Sequence, residues 1–259
     1  MSFTRTAAAD IYWKLEGDAD RPPLVLLNSI GCDMDLWDEA LPHLRRRHLL
    51  LRIDTRGHGA SSAPEGDYRL EQLADDVAAV MDAAGVARAA VAGVSLGGMI
   101  AMQMALDHPA RVSALGLICT SATMDREAWR QRVECVRTEG MAGIVDLAMS
   151  RFLSPGFAEA RPEVAASVRR GLLSMPAAGY AGCAAAIRDM RLAGRLGAIT
   201  VPSLVVTGTL DASTPLEPHG AALLSAIPGA RHVALEAGHL APLEVPDLIA
   251  AALTDFLQT

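Results

Sequence analysis

Residues 91–98 read Val91-Ala92-Gly93-Val94-Ser95-Leu96-Gly97-Gly98, an apolar run that passes through Gly-Val-Ser-Leu-Gly into the helical pattern of residues 99–106. A strand that turns sharply into a helix puts the intervening residue at the apex of a tight bend. Glycines two before and two after it remove the side chains that would collide there. The Ser95 hydroxyl is then expected to stand exposed above the first amides of the helix, where negative charge is stabilised. The five-residue pattern also recurs by chance, so its weight rests on the strand-to-helix setting. The rest of the chain must supply a base, an acid and two amide donors.

On either side of this bend, short apolar runs at 24–27, 48–54, 89–93 and 112–119 alternate with amphipathic stretches at 70–84 and 99–108. Near-continuous apolar runs of this length predict buried strands of a parallel sheet. Gly85 and Pro109 end the two helical stretches. Strand-like runs resume at 202–208 and 230–235, and 246–257 predicts a closing helix. Between residues 122 and 198 no strand-like run occurs. The segments 126–139, 142–153, 161–173 and 180–196 all favour helix instead. The expected architecture is an α/β layered fold: a mostly parallel sheet flanked by helices, core at 1–121 and 198–259, with a helical cap at 122–197 over the strand ends, where open α/β sheets bind ligands.

A serine hydroxyl needs an adjacent base, and that base needs a partner that fixes its tautomer. Of the seven histidines, His239 follows the run 233–235 and precedes the last helix, on a loop at the sheet edge. His58, in Asp54-Thr55-Arg56-Gly57-His58-Gly59, precedes the serine, whereas this architecture delivers serine, acid and histidine in that chain order. His58 is expected to pack a turn. Asp211 lies between Ser95 and His239, just past the run 204–208. It would orient the imidazole, or else only cap amides of its own turn. Asp189 sits within a helical pattern and is disfavoured. Leu96, directly after the serine, and Ile30, in the turn after 24–27, are the expected backbone donors of an oxyanion hole.

Composition narrows the function classes. The 259-residue chain is 51% hydrophobic and only 4% aromatic, with a net charge of -7. Stacking platforms and basic patches for nucleic acid therefore have little material. No segment has a secretory leader's apolar region or 18 apolar residues in a row, so the expected compartment is the cytoplasm and no membrane partner is expected. Cys32, Cys119, Cys135 and Cys183 have no paired spacing and are read as reduced thiols. No cluster outside the three candidate residues has metal-ligand spacing, and neither metal nor cofactor is expected. Met99, Met102 and Met104, like Trp13 and Trp37, are expected in the core.

Asn28-Ser29-Ile30-Gly31, Asp54-Thr55-Arg56-Gly57-His58-Gly59, Gly93-Val94-Ser95-Leu96-Gly97-Gly98, Gly208-Thr209-Leu210-Asp211 and Gly238-His239 together resemble the α/β-hydrolase superfamily over nearly the whole chain. Within it the chain is most similar to the 3-oxoadipate enol-lactonases. That similarity continues into the cap at Trp129, Arg132, Arg137-Thr138-Glu139-Gly140-Met141 and residues 179–189. The resemblance implies hydrolysis of a small-molecule lactone ester in aromatic catabolism. The family's lactone carries a free carboxylate, so a cation near the pocket is implied, with Arg132, Arg151 and Arg188 as candidates; each could equally be a solvated helix-face residue. Trp129 is a further candidate contact. Where the family pattern has a Trp in the segment 150–155, this chain has Phe152, which alters the implied pocket. A broader esterase or lactonase, a C–C bond hydrolase, a perhydrolase and a slow-turnover ligand receptor share the same motifs. Oligomeric state is not legible in the chain.

Overall fold

The computed structural model describes residues 2–258. Eight strands, β1 (Ser2–Arg5), β2 (Asp10–Glu16), β3 (Pro23–Leu27), β4 (Leu49–Ile53), β5 (Ala89–Val94), β6 (Val112–Ile118), β7 (Ser203–Gly208) and β8 (Arg231–Leu235), form one sheet in the order β1-β2-β4-β3-β5-β6-β7-β8. From β4 to β8 every pairing is parallel; β1 and β2 add an antiparallel edge. The six parallel strands coincide with the apolar runs of the sequence. Every residue of β5 and β7 is buried, as expected for strands covered on both faces. The antiparallel edge was not anticipated. Its strands mix exposed, half-buried and buried positions and lack a continuous apolar run.

Helices α1 (Leu41–Leu44), α2 (Leu70–Ala83) and α3 (Leu96–Asp107) accompany the first half of the sheet. Helix α3 is buried from Leu96 to Ala105, so Met99, Met102 and Met104 are core residues, as is Trp37. Trp13 is half-buried and donates from Nε1 to Thr4 Oγ1 at 2.8 Å. Five helices separate β6 from β7: α4 (Arg126–Glu139), α5 (Val145–Phe152), α6 (Pro155–Ala160), α7 (Pro162–Ser174) and α8 (Ala177–Asp189). Helices α9 (Ala221–Ala226), α10 (Ala241–Glu244) and α11 (Pro246–Leu257) complete the chain.

Two of the expected helices change form. The 142–153 segment starts only at Val145, after a 3-10 turn at Met141–Gly143. The 180–196 segment breaks where Met190 takes an extended backbone, and a 3-10 turn at Ala193–Ala198 follows. Gly194 and Gly197 weaken the helix there. Helix α8 anchors the excursion to the sheet side. The Gly182 carbonyl accepts the Tyr68 amide at 3.1 Å, and a Cβ on Gly182 would lie 2.6 Å from the Tyr68 ring. Only glycine fits that crossing.

Candidate active site

Parallel register brings the ends of β3, β5 and β6 level, with Leu27 beside Gly93 and Val94 beside Ile118. Ser95 follows immediately, between β5 and α3, with φ 54° and ψ -114°. A non-glycine residue in such a conformation costs on the order of 1–3 kcal/mol and persists only where its surroundings impose it. Here the Ser95 amide donates to Ile118 O at 2.9 Å, and Ser95 O accepts from Thr120 Oγ1 at 2.6 Å and from the Met99 amide at 3.1 Å. A Cβ on Gly97 would strike Leu27 O at 2.6 Å, and one on Gly98 would meet the Thr120 side chain at 2.7 Å. The glycines thus let α3 start in contact with the ends of β3 and β6. This crowding leaves Ser95 only 6% exposed, where an isolated bend would hold its hydroxyl open.

Asp211 follows β7, and His239 sits on the loop between β8 and α10. His239 Nδ1 lies 3.1 and 3.0 Å from Asp211 Oδ1 and Oδ2. An ionised carboxylate only accepts, so Nδ1 carries the proton and Nε2 is left as the basic ring nitrogen. Asp211 also accepts from the amides of Ser213 (2.7 Å) and Thr214 (3.1 Å) and from Thr214 Oγ1 (2.8 Å). Burial pushes its carboxyl up, but the neighbouring His239 charge and these hydrogen bonds outweigh it and lower the pKa to about 2.

The His239 loop has a support that sequence reasoning missed. Glu244 accepts from the Gly238 amide at 3.0 Å, and from the Ser154 amide and hydroxyl at 2.7 Å each. The Leu240 amide meanwhile donates to Phe152 O at 3.0 Å. The segment at 152–154 is therefore tied to the loop bearing His239. Phe152 stacks on the imidazole, with ring centroids 6.1 Å apart and planes 20° from parallel. A carboxylate in a short helix carries no motif; its role arises only from the fold.

Ile30 is buried in the loop after β3, one residue before Gly31, which has φ 83°. Leu96 is the first residue of α3, so its amide has no acceptor within the helix. The Gly31 amide donates to His58 Nε2 at 2.9 Å, so His58 does more than pack its turn. A cleft of about 770 Å³ is lined by Gly31, His58, Asp33, Asp35, Glu163 and Arg170 among others; it reaches the Ile30 loop but not the side chains of Ser95, Asp211 or His239.

The candidate arginines part company. Arg132 is half-buried, with its guanidinium 4.4 Å from the Trp129 ring centroid and Nη1 3.4 Å from the hydroxyl of buried Tyr180. A Cβ on Gly31 would lie 3.5 Å from both Tyr180 and Phe152, which ties that cluster to the Ile30 loop. Arg188 instead pairs with Asp67 and Asp189 and lines a separate cleft with Arg69, Arg126 and Arg191. Arg151 is exposed on α5. Among the described residues, no group of three His, Cys, Asp or Glu side chains is placed to hold a metal, and no helix is long and apolar enough to cross a membrane.

Residues 22–136 match the family model for the α/β hydrolase fold. The chain is 34% identical to 3-oxoadipate enol-lactonase 2 of Acinetobacter baylyi, over 89% of this chain and 86% of that one. The chain belongs to the α/β-hydrolase family. This hydrolase is also similar in structure to the enol-lactonase of Burkholderia xenovorans LB400, with 34% identity and a TM-score of 0.95 over all of both chains. A hydrolase from Pseudomonas aeruginosa PA01 matches it at 38% identity and TM-score 0.95, over 100% of this chain and 98% of that one. The fold expected from the sequence and the resemblance to enol-lactonases both hold for this α/β hydrolase.

Proposed function

We propose that the protein is a serine hydrolase that opens a carboxylate-bearing enol-lactone, of the 3-oxoadipate enol-lactone type, through an acyl-enzyme. The observation that carries the reading is the buried Asp211–His239 hydrogen bond at the same carboxyl end of the sheet as the strained Ser95 bend. Ser95 Oγ attacks the lactone carbonyl while His239 Nε2 takes its proton. The ring C–O bond breaks, the enolate leaves with that proton, and the ring-opened acid stays esterified to Ser95. Water then adds to the ester carbonyl, giving its proton to His239, which returns it to Ser95. Asp211 stays ionised throughout, and the amides of Ile30 and Leu96 hold the oxyanion at both steps. Residues 122–197 act as a cap over the strand ends of the 1–121 and 198–259 core. Four free cysteines support action in a reducing compartment, the cytoplasm.

Arg132 is the cap residue best suited to the substrate carboxylate, because among the described residues its contacts are aromatic and no carboxylate neutralises it. A second reading, an esterase for uncharged esters, is favoured by the acidic cleft at Gly31, where Asp33, Asp35 and Glu163 face one Arg170. Spectrophotometric turnover of 3-oxoadipate enol-lactone against a panel of aryl esters separates the two, with Ser95→Ala as control. Preference for the lactone by tenfold or more in kcat/KM supports the first reading; equal or better turnover of the esters supports the second. A single slow turnover on every substrate would point to a receptor.

A further inference from the structure

The turn at residues 54–60 lies beside the loop that follows β3, and His58 joins the two. Its ring is 1% exposed. Nε2 sits 2.9 Å from the Gly31 amide, which can only donate, so Nε2 is the acceptor. Nδ1 then carries the hydrogen and faces Arg56 O at 3.2 Å. The contact from the facing helix is Cys183 Sγ, 4.0 Å from Nδ1, and it too is turned to Arg56 O, at 3.4 Å. Both ring nitrogens are thereby committed to one neutral tautomer. Burial agrees with this assignment, since it lowers the His58 pKa to about 4.

Three further loop groups have partners of their own. Asn28 Nδ2 donates to Ile53 O at 2.8 Å, the Cys32 amide to Ser29 O at 3.1 Å, and the Met34 amide to Asp54 Oδ1 at 2.9 Å. Between them lies the Ile30–Gly31 peptide, whose N–H is held by His58. The turn carrying His58 is itself braced: the His58 amide donates to Thr55 O at 2.8 Å, and Gly57 packs on the Gly179 backbone.

We infer that His58 is a positioning residue for the oxyanion hole: by accepting the Gly31 N–H at Nε2 it fixes the peptide after Ile30, so that the Ile30 N–H is presented to the tetrahedral intermediate. In this role the imidazole acts through the Gly31 peptide and not on the reacting atoms. This inference rests on the acyl-enzyme reading at Ser95. An imidazole lacking this contact would leave the Gly31 amide buried without an acceptor, a state that favours turning the peptide over. A turned peptide takes the neighbouring donor out of register with the oxyanion.

The test compares His58→Gln with His58→Asn. Glutamine can place an amide oxygen where Nε2 sits, whereas asparagine is too short and reproduces only the Nδ1 position. In both variants kcat and KM for an aryl ester are measured well below the thermal unfolding midpoint, together with the rate at which a fluorophosphonate labels Ser95. The expected result is a 10- to 100-fold lower kcat and slower labelling in His58→Asn, KM within about threefold of wild type, and recovery to within about fivefold in His58→Gln, consistent with the 10²- to 10³-fold cost of a whole oxyanion donor. Equal kcat in His58→Asn and wild type, or equal losses in both variants that follow their unfolding midpoints, would overturn the inference. Failure of the underlying reading looks different: the label would not react with wild type, or would still react with Ser95→Ala.

Discussion

Asp211→Asn separates an orienting carboxylate from a mere turn cap. The exchange keeps an oxygen at Oδ1, where the Ser213 and Thr214 amides donate, so the turn retains both backbone bonds. It puts an NH₂ group at Oδ2, 3.0 Å from His239 Nδ1 and 2.8 Å from Thr214 Oγ1. That group donates to Nδ1, which drives the ring proton to Nε2, the nitrogen proposed as the base. It also removes the negative charge beside the imidazolium that the proposed mechanism forms. The side chains of His239 and Asp211 are 3% and 0% exposed, so solvent screens them little. Unit charges about 4 Å apart at an effective dielectric near 20 interact by about 4 kcal/mol. At about 1.36 kcal/mol per decade this alone is roughly 10³ in rate. The tautomer change brings the total toward the roughly 10⁴ loss seen for the same exchange in Ser-His-Asp triads. Initial rates on an aryl ester, with thermal unfolding recorded alongside, test this. A kcat within about threefold of wild type, in a variant of unchanged unfolding midpoint, would refute the reasoning and leave Asp211 as a cap.

Glu244→Ala should lower stability by about 1–3 kcal/mol, because the buried Gly238 and Ser154 amides lose their acceptor, and should lower kcat with it as the His239 loop loosens; chemical denaturation and kinetics report both. Arg132→Met, which keeps much of the side-chain volume over Trp129, should raise KM for a carboxylate-bearing lactone by tenfold or more while leaving a neutral aryl ester unchanged; an equal rise for both would remove Arg132 from carboxylate recognition. Relative to His58→Gln, the wild type should lose stability as pH drops from about 6.5 toward 4, while Asp54, whose carboxyl burial raises to about 6, acts in the opposite sense in both proteins. His58 has a folded pKa near 4 against 6.5 when free, so the unfolded chain binds more protons in that window and the stabilisation present above it is lost. Half-buried His219 and buried His48 are lowered in the same sense, and the difference between wild type and His58→Gln in denaturation curves taken across that range isolates the His58 part.

The strands that position the candidate site were legible because burial on both faces writes a simple pattern, an unbroken apolar run such as Leu24-Val25-Leu26-Leu27. Ser95 was legible because a strained bend requires glycines at fixed offsets. Strands β1 and β2 were not: with exposed Phe3, Arg5 and Leu15 and half-buried Lys14 and Glu16 they carry no unbroken apolar run. The helical excursion was legible as helix but not in its breaks, since the extended backbone at Met190 falls on a helix-favouring residue, ahead of the glycines that follow. Arg132 and Arg188 look alike in the chain. Only the fold gives Arg188 two carboxylate partners and sets Arg132 against an aromatic pair.

The supports of the site share one physical character. Asp211 and His239 are 28 residues apart, Glu244 and Ser154 are 90 apart, and His58 reaches Gly31 across 27. None of these distances corresponds to a local pattern, because each partner is a single polar group that acquires its meaning when two loops meet at the end of a sheet. The Ser95 bend itself can be announced locally, since its demand is conformational. The groups that hold the proposed base and amide donors in register cannot. Side chains such as His58 and Glu244, mute in the sequence, are therefore where substitutions should uncouple catalysis from folding: they contact backbone amides beside Ile30 and His239, so under the proposed mechanism their loss moves donors and base by the small displacements to which rate is most sensitive.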